Sequence, residues 1–468
     1  MTTATALSLS ASAPEARRVP RADINSVFGL VRGARTDTLN FFMRVAKQGD
    51  LVELPNPFGP FYLVNNPDMI ERILHANWKN YPKSDFHQRV KPLFGDGVFI
   101  MEGEKWKVKR QTIQPAFRTQ AIEGLAGVVV EEMKDALDAW EPIADTGDEI
   151  DITVPLTQTA FKIITRALCS EPIPFDQDEF SDAVVTLMRA GEQVLWSLFP
   201  FVHSLPLPGR AKVTRAIRVV DKNMFELVRR RLDGEPKGDM LDLLLAYRTA
   251  DGQKLSMREL RDDLVTMLVA GHETTALAMS WTLYEMSRNP QLAKRLRAEV
   301  RNAIGDRAPT LADLPKMAYV EQTVKEALRL YPPFWSLSRK AVEADDLGGY
   351  AVPRNATLML CPYVMHRNPR YWENPEAFDP DRFSPERAKT IHEYAYFPFG
   401  GGPRTCIGKR LALMEAQLSL AMLVQRFDLH LASGQTVEAE PMISFRPRHG
   451  IRMTVHRVAE VALPQAAE

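Results

Sequence analysis

The chain has 468 residues, 45% of them hydrophobic, with 59 Lys plus Arg against 59 Asp plus Glu and therefore no formal net charge. Length alone allows two or three domains and the apolar fraction a large core, while the charge balance argues against a nucleic-acid binder, which needs surplus positive charge to neutralise phosphates. Its three cysteines, Cys169, Cys361 and Cys406, are far apart and show no CxxC spacing, which argues against a disulfide framework or a cysteine-rich zinc site and for a reducing, cytoplasmic setting.

The first residues are small and polar, with no continuous apolar run and no leading positive charge. They make a poor signal peptide and cannot span a membrane. Residues 1–20 are therefore expected as a flexible leader, 21–457 as the main body and 458–468 as a tail. Residues 51–53 and 61–64 flank a Pro-rich turn and predict a hairpin. Trp106 and Arg110, at i and i+4, share one helix face. Loops are expected at 144–148, 233–238 and 302–309.

The best-defined element is central. Ser256-Met257-Arg258-Glu259 has the form of a capping box, and no strong breaker follows before Asn289-Pro290. At about 1.5 Å per residue this helix runs roughly 50 Å. It is apolar over much of its surface and is expected to cross the core. Its middle reads Ala270-Gly271-His272-Glu273-Thr274-Thr275. Glycine inside a helix costs about 1 kcal/mol against alanine. The Thr274 hydroxyl can bond back to the Ala270 carbonyl and open the helix locally, leaving a groove for a diatomic ligand and water.

Further on, Glu326 and Arg329 form an i,i+3 pair, and Phe378-Asp379-Pro380-Asp381-Arg382-Phe383 follows. Residues 357–360 read as a strand, and 443–445 with 451–455 as a final hairpin. Between them, Phe399-Gly400-Gly401-Gly402-Pro403-Arg404-Thr405-Cys406-Ile407-Gly408 places Cys406 in a glycine-rich loop ahead of an amphipathic helix. A cysteine held there can give a metal a thiolate, nearby N–H groups can steady its charge, and Arg404 can meet an anion. The fold class read from these patterns is mainly α with a small β region, in one large helical domain.

The cysteine loop matches every fixed position of the Phe-x-x-Gly-x-Arg-x-Cys-x-Gly signature of the cytochrome P450 superfamily. The chain resembles that superfamily from about residue 21 to 457, since the central-helix motif, Glu326-x-x-Arg329 with Arg382, and Trp106-x-x-x-Arg110 match its other motifs in order. The resemblance implies the P450 fold and a haem b, iron protoporphyrin IX, with Cys406 as axial thiolate. It places Phe399, Gly400 and Gly408 about the sulfur and Ala270 and Gly271 on the opposite haem face. Trp106, Arg110, Arg339 and Arg404 then serve the haem propionates, and Glu273 and Thr274 relay protons to dioxygen. Glu326, Arg329 and Arg382 form a buried structural triad. His366 is expected to pack within a loop.

The implied activity is a haem-thiolate monooxygenase acting on a hydrophobic small molecule: a fatty acid, terpenoid, steroid-like compound or polyketide. Electrons come from a ferredoxin or flavodoxin with its NAD(P)H-dependent reductase, for which Lys107, Lys109, Lys409 and Arg410 offer a basic face. Lack of a hydrophobic N-terminal anchor implies a soluble, bacterial-type member with no membrane span, and the short C-terminal remainder implies no fused reductase. Pocket residues are expected in 85–102, in 175–208, at 334–335, and at Met267 and Ala270. The rivals are a peroxide-dependent peroxygenase or isomerase and a non-enzymatic haem-binding protein; the intact Glu273-Thr274 pair argues against both.

Overall fold

A computed structural model describes residues 17–24, 26–171, 175–195, 209–249 and 252–458. Most of the expected leader and tail, and residues 196–208 of the expected pocket region, lie outside the described residues. From Arg17 onward the chain is hydrogen-bonded: Arg17 N–H donates to Gly349 O and Glu53 N–H to Pro20 O, each at 2.8 Å.

The molecule is mainly helical, with small sheets at its margins. The central helix spans Met257–Arg288, and both halves of its Ser256–Glu259 capping box form. Leu264, Val265, Leu268 and Leu283 along it are wholly buried, so it does cross the core. It lies along the Thr153–Cys169 helix. A Cβ on Gly271 would sit 2.5 Å from Ile164 Cγ1, so the glycine lets these helices approach. That packing explains why a poor helix former stands mid-helix.

The main sheet has the order Leu51–Leu54, Phe61–Val64, Thr357–Leu360, Leu337–Lys340. Its first pair is the expected hairpin, its middle pair is parallel, and Arg339 faces Leu358 across the last, antiparallel pair. The expected final hairpin does not form. Phe445–Pro447 pairs with Ala439–Pro441, and Arg452–Arg457 pairs with Phe427–Leu431 and, on its other edge, Glu149–Asp151. Alternating apolar residues marked strands here, but partner choice depended on segments brought in from elsewhere.

A buried charge cluster braces the C-terminal half. Glu326 Oε2 and Oε1 accept from Arg329 Nε and Nη2, each at 2.7 Å, and Oε1 also accepts from Arg382 Nε at 3.2 Å. Arg329 further donates to the carbonyls of His366, Pro375 and Ala377. His366 Nδ1 lies 3.1 Å from Arg329 O, and its Nε2 accepts the Phe397 N–H at 3.0 Å. The imidazole thus carries its proton on Nδ1 and ties the triad to the segment entering the cysteine loop. Burial holds His366 down to about 3, which keeps that tautomer neutral. Cys169 and Cys361 are each 1% exposed, small core residues as the sequence suggested.

Candidate active site

The loop around Cys406 is fixed by its backbone. The Cys406 N–H donates to Phe399 O at 2.9 Å, and Arg110 Nη2 donates to Thr405 O at 2.9 Å. Gly402 adopts φ +60°, and a Cβ there would lie 1.9 Å from the Leu74 carbonyl oxygen. Neither the dihedral nor the space admits a side chain. Gly402→Ala is therefore expected to cost about 1–3 kcal/mol and to misplace the loop. A lowered thermal midpoint together with reduced haem uptake checks this; an unchanged midpoint counts against it.

Cys406 differs from the other cysteines in being open. Protein atoms nonetheless crowd its surroundings. Burial is the largest influence on the thiol and raises its pKa, opposed by the Gly408 N–H, Arg110 and the Lys409 N–H. Those opposing groups favour the thiolate. Gly400 has φ +69° within the same loop, and Gly408 would bring a Cβ to 3.9 Å from the sulfur. Phe399 is partly buried against the core, with Lys409 Nζ 5.9 Å from its ring centre.

The central helix presents a second open surface. Ala270 is exposed and Thr274 half-buried, although His272, Glu273 and Thr275 beside them are buried. Thr274 Oγ1 donates to Ala270 O at 2.6 Å, the bond expected from the sequence. The helix nonetheless stays α-helical throughout, so the expected local opening does not occur. Glu273 Oε1 lies 3.9 Å from Arg446 Nη1, while Glu273 Oε2 is buried without a partner.

A third feature is a crowd of cations. Arg404 stacks on Trp106 with its guanidinium carbon 3.5 Å from the ring centre. It pairs with Glu102 and donates to Met101 O at 3.0 Å. Arg339 is 6% exposed. Lys83 bridges to Arg339 through the backbone and donates from Nζ to Phe99 O. A cleft of about 500 Å³ opens onto Lys83, Glu102, Arg339 and Arg404. Burial is the largest influence on all three, pushing Lys83 down to about 7 and Arg339 and Arg404 each down to about 10; Glu102 opposes it, and neighbouring cations add to it, Arg404 acting on Lys83 and Arg339 and Arg110 acting on Arg404. Positive charge collected at such cost calls for anions in the cleft.

The sequence matches the family model described as Cytochrome P450 over residues 23–452. The chain belongs to the cytochrome P450 family. It is 32% identical over 413 residues to Cyclooctatin synthase of Streptomyces melanosporofaciens, covering 87% of this chain and 88% of that protein. It is 31% identical over 404 residues to Cyclooctat-9-en-7-ol 5-monooxygenase of the same organism, covering 85% and 86%. The cytochrome P450DA heme domain has the same fold, with a TM-score of 0.83 over 95% of this chain and 98% of that one at 24% identity.

This P450 is accordingly a haem-thiolate monooxygenase with a cysteine-ligated haem. Its residues fit the cofactor. The Cys406 thiol is accessible, and Lys83, Arg339 and Arg404 outnumber Glu102, the second carboxylate of the cleft, Glu104, being paired with Lys107, so cations remain for two propionates. Trp106 supports Arg404 by stacking and has no side-chain hydrogen bond of its own among the described residues. Arg110 braces the loop backbone.

Two site residues escaped sequence reading. Lys83 joins the cationic crowd from a turn that precedes the Trp106 helix, and Arg446 reaches Glu273 from a late strand. Neither lies in a motif, so no local signal marks them. A further expectation is corrected: Lys109 is no part of a basic surface. It is 2% exposed and bonded to Asp263 at 2.7 Å, because it faces the inner side of its helix. Lys107, Lys409 and Arg410 are exposed. Met267 is packed in the core, whereas 86–99, 192–195 and 334–338 contribute to an apolar cavity.

Proposed function

We propose that Cys406 ligates the haem iron of this P450 and that Lys83, Arg110, Arg339 and Arg404 serve the propionates, with Trp106 as the shelf under Arg404. The observation that carries this is the single open thiol among three cysteines, set in a loop whose backbone is already tied down. Bound haem supplies the iron at which dioxygen is reduced and one oxygen atom transferred. The protein must then deliver protons and exclude bulk water. Thr274 gives its own proton to Ala270 O, so its oxygen lone pairs are left to accept a hydrogen bond from the open side. Glu273 has a free buried oxygen and an arginine at the other, which suits a carboxylate that passes protons inward.

The substrate is a hydrophobic small molecule. Its class falls within the range of fatty acids, terpenoids, steroid-like compounds and polyketides, and the relative named for an unsaturated alcohol supports the alicyclic part of that range. Electrons come from a ferredoxin or flavodoxin with its NAD(P)H-dependent reductase, docking on the face that carries Lys107, Lys409 and Arg410. No helix among the described residues is long and apolar enough to cross a membrane, and the free, buried or functional cysteines support a reducing cytoplasmic setting.

The assignment is tested by product formation with a ferredoxin system compared with added peroxide. Thr274→Ala is expected to retain haem while product per NAD(P)H oxidised falls by about tenfold or more, the missing electrons appearing as peroxide. Coupling equal to that of the unaltered chain would remove Thr274 from the relay.

A further inference from the structure

A cavity of about 130 Å³ lies among the short Asp85–Arg89 helix, the Gln177–Leu195 helix and the Leu337–Lys340 strand. Its wall is aromatic. Phe99 stacks on Phe334 with ring centres 6.0 Å apart, and His87 lies 5.7 Å from Phe99 on another side. Four polar side chains interrupt that wall: His87, Glu192, Ser336 and Ser338. His87 Nδ1 is buried without a hydrogen-bond partner. The Glu192 carboxyl lines the same cavity and makes no ion pair or hydrogen bond among the described residues. Ser338, also in the wall, is satisfied by Ser84 at 2.6 Å. His87 Nδ1 is thus buried and unpaired, and the half-buried Glu192 carboxyl faces the same space without a partner among the described residues.

Their charge states narrow what they can hold. Burial, reinforced by Lys83 and Arg339 and opposed by the Ser84 backbone, holds His87 down to about 3, so its ring is neutral and carries one donor and one acceptor nitrogen. Burial, then Glu440, pushes Glu192 up to about 7, with Arg35 opposing. In its ionised form Glu192 would meet a ligand carboxylate as a like charge. A pure hydrocarbon would leave both polar groups desolvated and unpaired. A hydroxyl can donate to the carboxyl and accept from the imidazole, and a half-turn of the ring presents either nitrogen with the same outline.

We propose that this cavity selects apolar alcohols: the substrate hydroxyl donates to Glu192 and accepts from His87 while its carbon skeleton lies on Phe99 and Phe334. The proposal rests on the monooxygenase reading above and specifies its substrate class. Two matched probe sets test it on the haem-loaded chain: geranylgeraniol and 1-dodecanol, each against the acid and the hydrocarbon of the same skeleton. Affinity is read by spin-state titration and by equilibrium dialysis.

The alcohols are expected to bind about tenfold more tightly than their acids and hydrocarbons. His87→Leu and Glu192→Leu should each bring that ratio toward one, and Glu192→Gln, which keeps an acceptor, should retain part of it. Equal affinities, tighter binding of the acids, no binding of either alcohol, or a preference that survives both leucine variants overturns the proposal. Thiolate-type absorbance without an alcohol preference sinks only this inference. Its absence from the unaltered chain sinks the monooxygenase reading instead.

Discussion

Cys406→Ala, reduced under carbon monoxide, loses the absorbance of a thiolate-ligated haem, and turnover with a ferredoxin system falls to background. The reason is chemical rather than architectural. The Cys406 backbone is held by its bond to Phe399 O, and the neighbouring Thr405 carbonyl by Arg110, neither of which uses the sulfur. The variant should therefore keep its far-ultraviolet dichroism and unfold as cooperatively as apoprotein from the unaltered chain. Cys169 and Cys361 cannot take over, because burial pushes the first thiol well above the ordinary range and the second up to about 12, and both lie in the core. Retention of the thiolate signal in the variant would remove Cys406 as the ligand.

Glu326→Gln, by contrast, is expected to cost about 3–5 kcal/mol of stability, because it leaves two buried guanidiniums without a full counter-charge. The carboxylate accepts from Arg329, Arg382 and the Asp379 N–H, the last at 2.8 Å. An amide offers one acceptor oxygen and turns two donors toward groups that only donate. Total stabilities of about 5–15 kcal/mol make such a loss close to unfolding. The damage also reaches the haem loop, since His366 links Arg329 O to the Phe397 N–H. Denaturant unfolding should show the lower midpoint, and haem should dissociate at lower denaturant than in the unaltered chain. An unchanged midpoint would make the triad dispensable.

These two experiments bear on features the sequence displayed in different ways. The cysteine loop, the Ser256–Glu259 box and the Thr274 back-bond involve residues within a few positions of one another. Backbone geometry nearly fixes such contacts once the helix or turn is formed, so they could be read directly. Glu326 and Arg329 were visible as a helix pair, but their burial, and the carbonyls they clamp at Pro375 and Ala377, were not. Gly271 shows the same division. Its presence mid-helix was an evident anomaly, yet the Ile164 side chain it makes room for belongs to a helix about a hundred residues earlier.

By itself, the sequence determined the helical architecture, the glycine-rich cysteine loop and the family, because these rest on local periodicity and short spacings that recur wherever the same chemistry is needed. Only the tertiary structure decided that Lys109 turns inward to Asp263, that Lys83 joins the arginines, that Arg446 meets Glu273, and that Arg452–Arg457 pairs with Phe427–Leu431 rather than closing a hairpin. It also decided that His87 and Glu192 share one apolar cavity. Each is a meeting of distant segments whose energy lies in burial and in charge brought together. Neither can be computed from one segment alone, because burial and field belong to what the rest of the chain places around it.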